Sequence, residues 1–286
     1  MCIWYSHERT ERMLKFTLEI KAESPLRIGA GRNVAKLSPI DLPVVLMRIG
    51  DRDLPYIPGS SIKGVFRSTS EFVAKSFGLD TCLMGEGCKS KYDKALQDQM
   101  KKGDVEGIKK ILSSYCLVCK LYGSASFRSN ITFEDAYPSS KNVPTRSVKT
   151  GIAIDRKSGA VKSGALYQVE FIDPGAVFIQ NTTFLNVPNY GIGLFSEVLD
   201  LINLGFIKLG GFKSRGFGRV SIKPKGLEGF LYQDGKLRDI KEVDKLPRAD
   251  DEDEDILLKV PEEERLSLLL SKSKEVWEHY VKRNRG

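Results

Sequence analysis

The segment IPGSSIKGVFR, residues 57–67, joins a Pro-Gly turn directly to a predicted helix. Apolar side chains recur at helical spacing after the turn, Ser60 or Ser61 can cap the first helical turn, and Gly78 can end the last one. The spacing therefore predicts a helix over about residues 61–77.

The start of this helix is a candidate anion site. First-turn amides have no partner inside a helix, and together with the helix dipole they favour a negative charge. Lys63 and Arg67 lie four residues apart and share one helix face near that end, beside Ser60. These residues predict contact with a phosphate group, and the alternative is a capped helix with two exposed cations.

The elements on either side of this helix indicate the fold class. Apolar and polar residues alternate over residues 14–21, which predicts a half-buried strand. The other predicted elements are strands at 131–133, 166–172, 177–187 and 219–222 and a helix at 194–204. This order indicates an α+β, ferredoxin-like fold, interrupted by insertions at 80–125 and in the basic stretch 146–164.

The composition and the distribution of apolar residues exclude membrane, collagen-like and disulfide-scaffold proteins. The 286 residues are 41% hydrophobic and 29% charged, which is typical of a globular protein. No apolar run approaches the roughly 18 residues of a membrane span, and the start of the chain lacks the apolar core of a signal peptide. Five cysteines in such a chain suit a reducing, cytoplasmic location and favour metal binding or free thiols over disulfides.

Charge divides the chain into a basic body and an acidic tail. The net charge is +8 overall, +12 over residues 1–225 and −4 over residues 226–286. The body predicts a polyanionic partner, with ordinary solubility charge as the alternative. In the tail, six consecutive acids at residues 250–255 predict a solvated linker. The amphipathic C-terminal helix that follows is expected to dock on the body, with docking on a partner as the alternative.

The segment GGFKSRGFG, residues 210–218, is a second candidate anion site. Its glycines let the backbone approach a ligand and let the amides form a nest around an anion, next to Lys213 and Arg215. The alternative is a tight turn with a β-bulge.

Two cysteine pairs predict a structural zinc site. Five residues separate Cys82 from Cys88, and two separate Cys116 from Cys119. A CxxC knuckle brings two thiolates to one tetrahedral ion and a second pair completes the set, so no position stays open for catalysis. The alternative is four reduced core thiols, and Cys2 is expected to be free.

Taken together, these motifs resemble a known family. The segments RIGAG at 27–31, CLVCKLYG at 116–123 and FEDA at 133–136 accompany the two anion-site motifs in an order and spacing similar to those of the RAMP superfamily of CRISPR–Cas proteins. Over residues 14–222 the chain resembles the backbone subunit of type III effector complexes, which is present in several copies along the guide RNA.

The resemblance implies a fold and a set of RNA contacts. The fold would be a modified ferredoxin-like or RRM-like palm over residues 1–225, with a zinc-bearing lid insertion at about 80–125 and a thumb-like β-hairpin at about 140–172. Protein contacts would go to the RNA backbone, while the guide reads base identity. The implied contacts of the palm are Arg27, Ser60, Lys63, Arg67, Gly211, Lys213, Arg215, Gly216 and Phe217, and those of the thumb are Arg146, Lys149, Arg156, Lys157 and Lys162.

The resemblance also implies a catalytic role for Asp41, in the segment SPIDLPV at 38–44. The flanking prolines restrict the backbone around this single acid. With Mg²⁺ or Mn²⁺, the implied reaction is attack of a 2′-hydroxyl on the adjacent phosphate, which leaves a 2′,3′-cyclic end. From the residues alone, a turn cap is the alternative. The chain also has Arg27 where the family often has histidine, and some subunits of divergent complexes bind RNA without cutting it.

The sequence therefore predicts a guide-RNA-binding subunit that cleaves complementary single-stranded target RNA and assembles with like subunits and other CRISPR–Cas effector subunits. One alternative is a non-cleaving RNA-binding scaffold. Another is a guide-processing endoribonuclease, which normally needs a general base such as histidine, whereas the two histidines here, His7 and His279, lie near the termini.

Overall fold

The computed structural model describes residues 4–30, 40–82, 86–140, 142–161, 166–233 and 235–285. The features above that lie outside these residues are Cys2, Gly31, Ser38, Pro39 and Lys162. Within the described part of the chain, no helix has the length and apolar character needed to cross a membrane.

The predicted strands and helices are present, and the structure adds further short strands. In chain order the strands are β1 (Arg12–Ala22), β2 (Leu46–Ile49), β3 (Arg52–Pro55), β4 (Ile131–Phe133), β5 (Tyr137–Pro138), β6 (Arg146–Gly151), β7 (Tyr167–Ile172), β8 (Val177–Leu185), β9 (Val220–Gln233), β10 (Lys236–Asp239), β11 (Lys245–Leu246) and β12 (Ile256–Leu257). The helices are α1 (Gly59–Ser76), α2 (Glu86–Lys102), α3 (Val105–Ser113), α4 (Leu117–Tyr122), α5 (Asn189–Asn203) and α6 (Glu262–Asn284).

The main sheet confirms the mixed α+β class. Its strand order is β10-β9-β1-β8-β4, with β5 also paired to β8, and every pairing is antiparallel. The chain runs from β1 through α1 to β4, then from β8 through α5 to β9. These connections and this order are those of a βαββαβ ferredoxin-like unit.

The core lies between one face of the sheet and the helices. The even-numbered side chains of β1 from residue 14 to residue 20 are buried, as the alternation predicts. The Phe16 ring lies 4.4 Å from the Phe184 ring of β8, and Phe66 of α1 stacks on Phe195 of α5 with centroids 4.6 Å apart. These rings fix both helices on the sheet.

The prediction of a solvated acidic linker is wrong at Asp253. This side chain is buried, and its carboxylate accepts hydrogen bonds from the backbone amides of Asn189, Tyr190 and Ala249 at 2.9, 3.2 and 2.8 Å. It also lies 3.8 Å from the Arg12 guanidinium. Asp253 thereby caps the first turn of α5, whose amides have no partner within the helix.

Docking of the C-terminal helix on the body is confirmed. In α6, Trp277 is fully buried, and Ser273 is buried beside it. A Cβ atom added to Gly193 of α5 would collide with the Ser273 carbonyl oxygen and would lie 2.6 Å from the Trp277 Cβ atom. The glycine therefore permits the close approach of α5 and α6.

Replacing Gly193 by alanine is expected to lower the free energy of unfolding by about 1–3 kcal/mol, because the added methyl group overpacks this contact. Urea unfolding measures the loss. Gly64→Ala is the matched control, because Gly64 is exposed on α1 and an added Cβ would have no neighbour within 4 Å. Equal stability of Gly193→Ala and the unsubstituted chain would contradict the described packing.

Candidate nucleic-acid interface and metal centre

The first turn of α1 is joined to the FEDA motif. Ile57 and Ala136 exchange backbone hydrogen bonds of 3.0 and 2.8 Å, and the Gly59 amide donates to Asp135 Oδ1 at 2.7 Å. The Gly59 amide, which has no partner inside the helix, is therefore already occupied by a carboxylate oxygen. A carboxylate already lies at this helix start, so an anion bound nearby must be attracted chiefly by side-chain cations.

Lys63 and Arg67 have different surroundings although they share α1. Burial, and secondarily the Arg67 charge, lower the pKa of Lys63, and no carboxylate among the described residues pairs with it. Arg67 instead donates to Glu71 Oε1 at 3.1 Å, to the Gly123 carbonyl oxygen at 2.9 Å and to Cys119 Sγ at 3.3 Å. Lys63 thus retains an unpaired charge for an anion, whereas the Arg67 guanidinium is engaged. Ser60 is exposed at the helix start.

The glycine-rich loop folds against the segment that follows β1. The Gly211 amide donates to the Arg27 carbonyl oxygen at 2.8 Å, and the Gly218 amide donates to the Pro25 carbonyl oxygen at 2.9 Å. Gly210 has φ +81°, and an added Cβ would collide with the Arg27 carbonyl oxygen. Here glycine is required by the close approach of two backbones and by the left-handed conformation.

Two arginines converge on one aromatic ring of this loop. The guanidinium carbons of Arg27 and Arg215 lie 5.4 and 5.1 Å from the centroid of the Phe212 ring, within range of cation–π interaction. Arg215 also donates to the Tyr167 hydroxyl at 2.9 Å. Burial lowers the pKa of Arg27, and among the described residues neither arginine pairs with a carboxylate.

The loop also lies beside α1. Ile62 and Val65 of α1 line one small apolar cavity together with Lys208 and Leu209, at the start of the loop. The Lys208 ammonium donates to the Lys213 carbonyl oxygen at 2.9 Å. The residues just before the glycine-rich loop therefore pack beside the helix that carries Lys63.

The remaining predicted residues of the loop divide by exposure. Lys213 and Gly216 are exposed, whereas Phe217 is 5% exposed and packs edge-on against Phe171 with centroids 5.5 Å apart. A ring so buried cannot stack on a base while the loop keeps this conformation. Phe217 anchors the loop to β7, and a direct RNA contact by this ring stays a prediction.

Asp41 lies at the base of a β-hairpin, close to Arg27. The exposed carboxylate of Asp41 accepts a hydrogen bond from the Gln168 amide at 2.7 Å through Oδ2. The next residue, Leu42, bridges to Val169 of β7, and its carbonyl oxygen accepts from Arg27 Nε at 3.4 Å. The Asp41 carboxylate thus lies one residue before the backbone carbonyl that accepts from Arg27.

Strands β6 and β7 form this hairpin within the basic stretch. Arg146 donates to Glu170 Oε1 at 2.8 Å, and Glu170 Oε2 accepts from the Val44 amide at 2.9 Å. Arg146 therefore holds the Asp41 segment on the hairpin. We call residues 146–161 the arm of this hairpin. The outer cations of the arm are exposed, as are several of its branched apolar side chains. The exposed residues are Lys149, Arg156, Lys157, Val148, Ile152, Ile154 and Val161.

The four predicted cysteines form one cluster. The Sγ atoms of Cys82, Cys88, Cys116 and Cys119 all lie within 4.8 Å of one another, and none of these residues forms a disulfide. Tetrahedral thiolate coordination of zinc requires sulfur separations of about 3.8 Å, so the arrangement fits such an ion closely. Cys116 immediately precedes α4, so the cluster lies at the N-terminal end of this helix.

The electrostatics of the cluster also favour a bound cation. Hydrogen bonds from the Cys116 and Cys119 thiols lower the pKa of Cys88 to about 4, while hydrogen bonding to Cys116 and Cys88 raises that of Cys119. The Cys88 thiolate is thus stabilised by the protons of the neighbouring thiols, and ionisation of the Cys119 thiol is opposed. A divalent ion removes this opposition, because it neutralises thiolates held close together.

Several residues of the site were missed from sequence. Asp135, Tyr167, Phe212 and Glu170 orient other residues through contacts with segments distant along the chain. Asp135 stands in a quoted motif, but nothing in its spacing indicates that it caps a helix start 76 positions earlier. Phe212 follows two glycines and precedes Lys213, and this composition alone could have indicated an aromatic side chain at the surface of the loop.

Comparison with known proteins agrees with this geometry. A family model described as the RAMP superfamily matches residues 19–221, which is well over half of the chain. The match begins near the end of β1 and includes α1, the cysteine cluster and the glycine-rich loop. A search of curated proteins found no match.

The cysteine cluster predicts tight uptake of about one zinc ion per chain. Cys119→Ser removes one of four thiolate ligands and is expected to weaken zinc binding at least about tenfold, measured by competition with a chromophoric chelator. Cys2→Ser is the matched control, because Cys2 is the fifth cysteine of the chain and is not one of the four predicted ligands. Unchanged zinc affinity in Cys119→Ser would show that the cluster consists of metal-free thiols.

Proposed function

The chain belongs to the RAMP superfamily of CRISPR–Cas proteins, and from this membership we propose that it is the backbone subunit of a type III ribonucleoprotein. Members of this family bind CRISPR RNA and act in Cas complexes. The partners proposed for this chain are guide RNA, target RNA, further copies of itself and other effector subunits.

The convergence of unpaired cations is the observation that carries this proposal. Arg27, Lys63 and Arg215 belong to three segments far apart in sequence, yet the glycine-rich loop contacts Arg27 directly, and the residues just before this loop border α1. Burial lowers the pKa of Arg27 and Lys63, and a phosphate oxygen beside each would favour the charged form again. A sugar–phosphate chain supplies such anions at regular intervals.

We propose cleavage of the paired target by Asp41. One carboxylate oxygen is held by the Gln168 amide, which orients the group on an exposed surface beside Arg27. The carboxylate would accept the proton of the 2′-hydroxyl as its oxygen bonds to phosphorus and the bond to the 5′-oxygen breaks, with water protonating that oxygen. The products are a 2′,3′-cyclic phosphate and a 5′-hydroxyl. Mg²⁺ or Mn²⁺, held by one carboxylate and the substrate phosphates, would neutralise charge at that phosphate.

A non-cleaving scaffold is the second candidate function. It is favoured by the hydrogen bond from Gln168 to Asp41, which a turn cap would also make, and by Arg27 at a position where the family often has histidine. A guide-processing endoribonuclease receives no comparable support. His7 contacts the Arg128 carbonyl oxygen and His279 pairs with Glu254, so neither contacts the cations described above.

We propose zinc as the metal of the cysteine cluster, and we assign the lid and the thumb to two separate segments of the chain. Four thiolates within 4.8 Å of one another are typical of structural zinc, and they leave no open coordination position. In this proposal the insertion at 80–125 is the lid that the ion holds together, and the hairpin of β6 and β7 is the thumb.

Lys63→Ala is expected to weaken binding of single-stranded RNA and to reduce the slope of log affinity against log salt by about 0.7, because one phosphate contact is lost. Fluorescence anisotropy over a salt series measures both quantities. Lys272→Ala is the matched control, since Lys272 pairs with Glu275 on the exposed face of α6. An unchanged slope in Lys63→Ala would remove α1 from the interface.

Asp41→Asn is expected to slow cleavage of guide-paired RNA at least about a hundredfold in the assembled complex, because asparagine cannot accept the proton. Its amide oxygen can still accept the Gln168 hydrogen bond, so target binding should persist. Asp51→Asn, in the exposed turn between β2 and β3, is the control. If Asp41→Asn cleaves at the normal rate, the scaffold function stands instead.

A further inference from the structure

We infer that Arg67 is a positioning residue of the cysteine centre, and that it joins α1 to the lid instead of contacting RNA. The inference rests on the metal centre proposed above. It changes the role that the spacing of Lys63 and Arg67 predicts, because the two cations sit on one helix but face different groups.

The geometry commits all three nitrogens of the guanidinium. Nε donates to the carboxylate of Glu71, Nη1 to the carbonyl oxygen of Gly123, and Nη2 to Sγ of Cys119. The Glu71 side chain is 5% exposed and that of Arg67 is 23% exposed, so both are shielded from water. A planar group held at three points has a fixed orientation, and its remaining freedom to reach a phosphate is small.

The chemistry of the centre explains why a cation lies there. Four thiolates around a divalent ion carry a net charge of −2, which is costly to bury. The Arg67 guanidinium supplies both a positive charge and a hydrogen bond to one sulfur, and the Cys116 amide donates to Cys88 Sγ at 3.3 Å. Donors of this kind orient the ligands of a metal and adjust their basicity.

The consequence is a division of tasks along one helix. Lys63 lies one turn before Arg67 and has no carboxylate partner among the described residues. Glu71 lies one turn after Arg67 and completes its hydrogen bonds. The cysteine centre is thereby bonded to the same helix that presents Lys63 to RNA.

The test compares full-length chains carrying Arg67→Ala or Lys63→Ala with the unsubstituted protein. Co²⁺ is titrated in competition with a chelator while its thiolate charge-transfer and ligand-field absorption are recorded, and RNA binding is measured over a salt series. Arg67→Ala should weaken Co²⁺ binding about tenfold to a hundredfold and change the absorption spectrum. The salt slope of its metal-loaded form should match that of the unsubstituted protein. Lys63→Ala should bind Co²⁺ with normal affinity and spectrum, and its salt slope should be smaller than that of the unsubstituted protein.

The outcomes distinguish a failure of the proposed role of Arg67 from a failure of the proposed metal centre. If Arg67→Ala binds Co²⁺ with normal affinity and spectrum, Arg67 is not a positioning residue, and a reduced salt slope would make it an RNA contact. If the unsubstituted protein takes up no Co²⁺ or Zn²⁺, the metal centre fails, and this inference fails with it. If Arg67→Ala does not fold, Arg67→Met serves, because it keeps a long side chain without the charge or the hydrogen-bond donors. Normal Co²⁺ affinity in that variant would overturn the inference.

Discussion

The pairing of β1 with both β8 and β9 is the constraint on which the candidate site depends. Because β9 lies against β1, the loop that precedes β9 meets the segment that follows β1, and Gly211 reaches the Arg27 carbonyl oxygen. Because β8 lies on the other side, the hairpin that leads into β8 reaches the Asp41 segment. A one-residue shift in either register would turn the buried face of β1 outward and separate these groups.

Features set by neighbouring residues could be predicted from the sequence. The alternation in β1, the helical spacing of α1 and the cysteine pairs depend on local geometry, and each is present. The errors concern partners chosen by the fold. The acidic run was expected to be solvated, yet Asp253 caps a helix that begins 64 positions earlier. Similarly, nothing in the spacing of Lys63 and Arg67 indicates that only Arg67 meets the cysteine cluster.

Backbone amides fix the orientation of two acidic groups at the site. Asp135 accepts from Gly59, and Asp41 accepts from Gln168, so each carboxylate has a fixed orientation. The cations nearby, Arg27 and Lys63, are partly buried and have no acidic partner in the part of the chain that the structure describes. A bound polyanion would therefore meet two carboxylates of fixed orientation on a surface where the unpaired charges of Arg27 and Lys63 are positive. The guanidinium groups of Arg27 and Arg215 lie against the Phe212 ring, which places two positive charges close together.

The two-stranded hairpin has a consequence for handling the isolated chain. Among the described residues strand β6 pairs with β7 alone, and the arm exposes Val148, Ile152 and Ile154. An open strand edge rich in β-branched residues is a template for self-association through strand addition. Lys149 and the cations at the tip oppose this by like-charge repulsion. Neutralising them would promote precipitation as well as alter affinity, so colloidal behaviour must be monitored whenever this arm is altered.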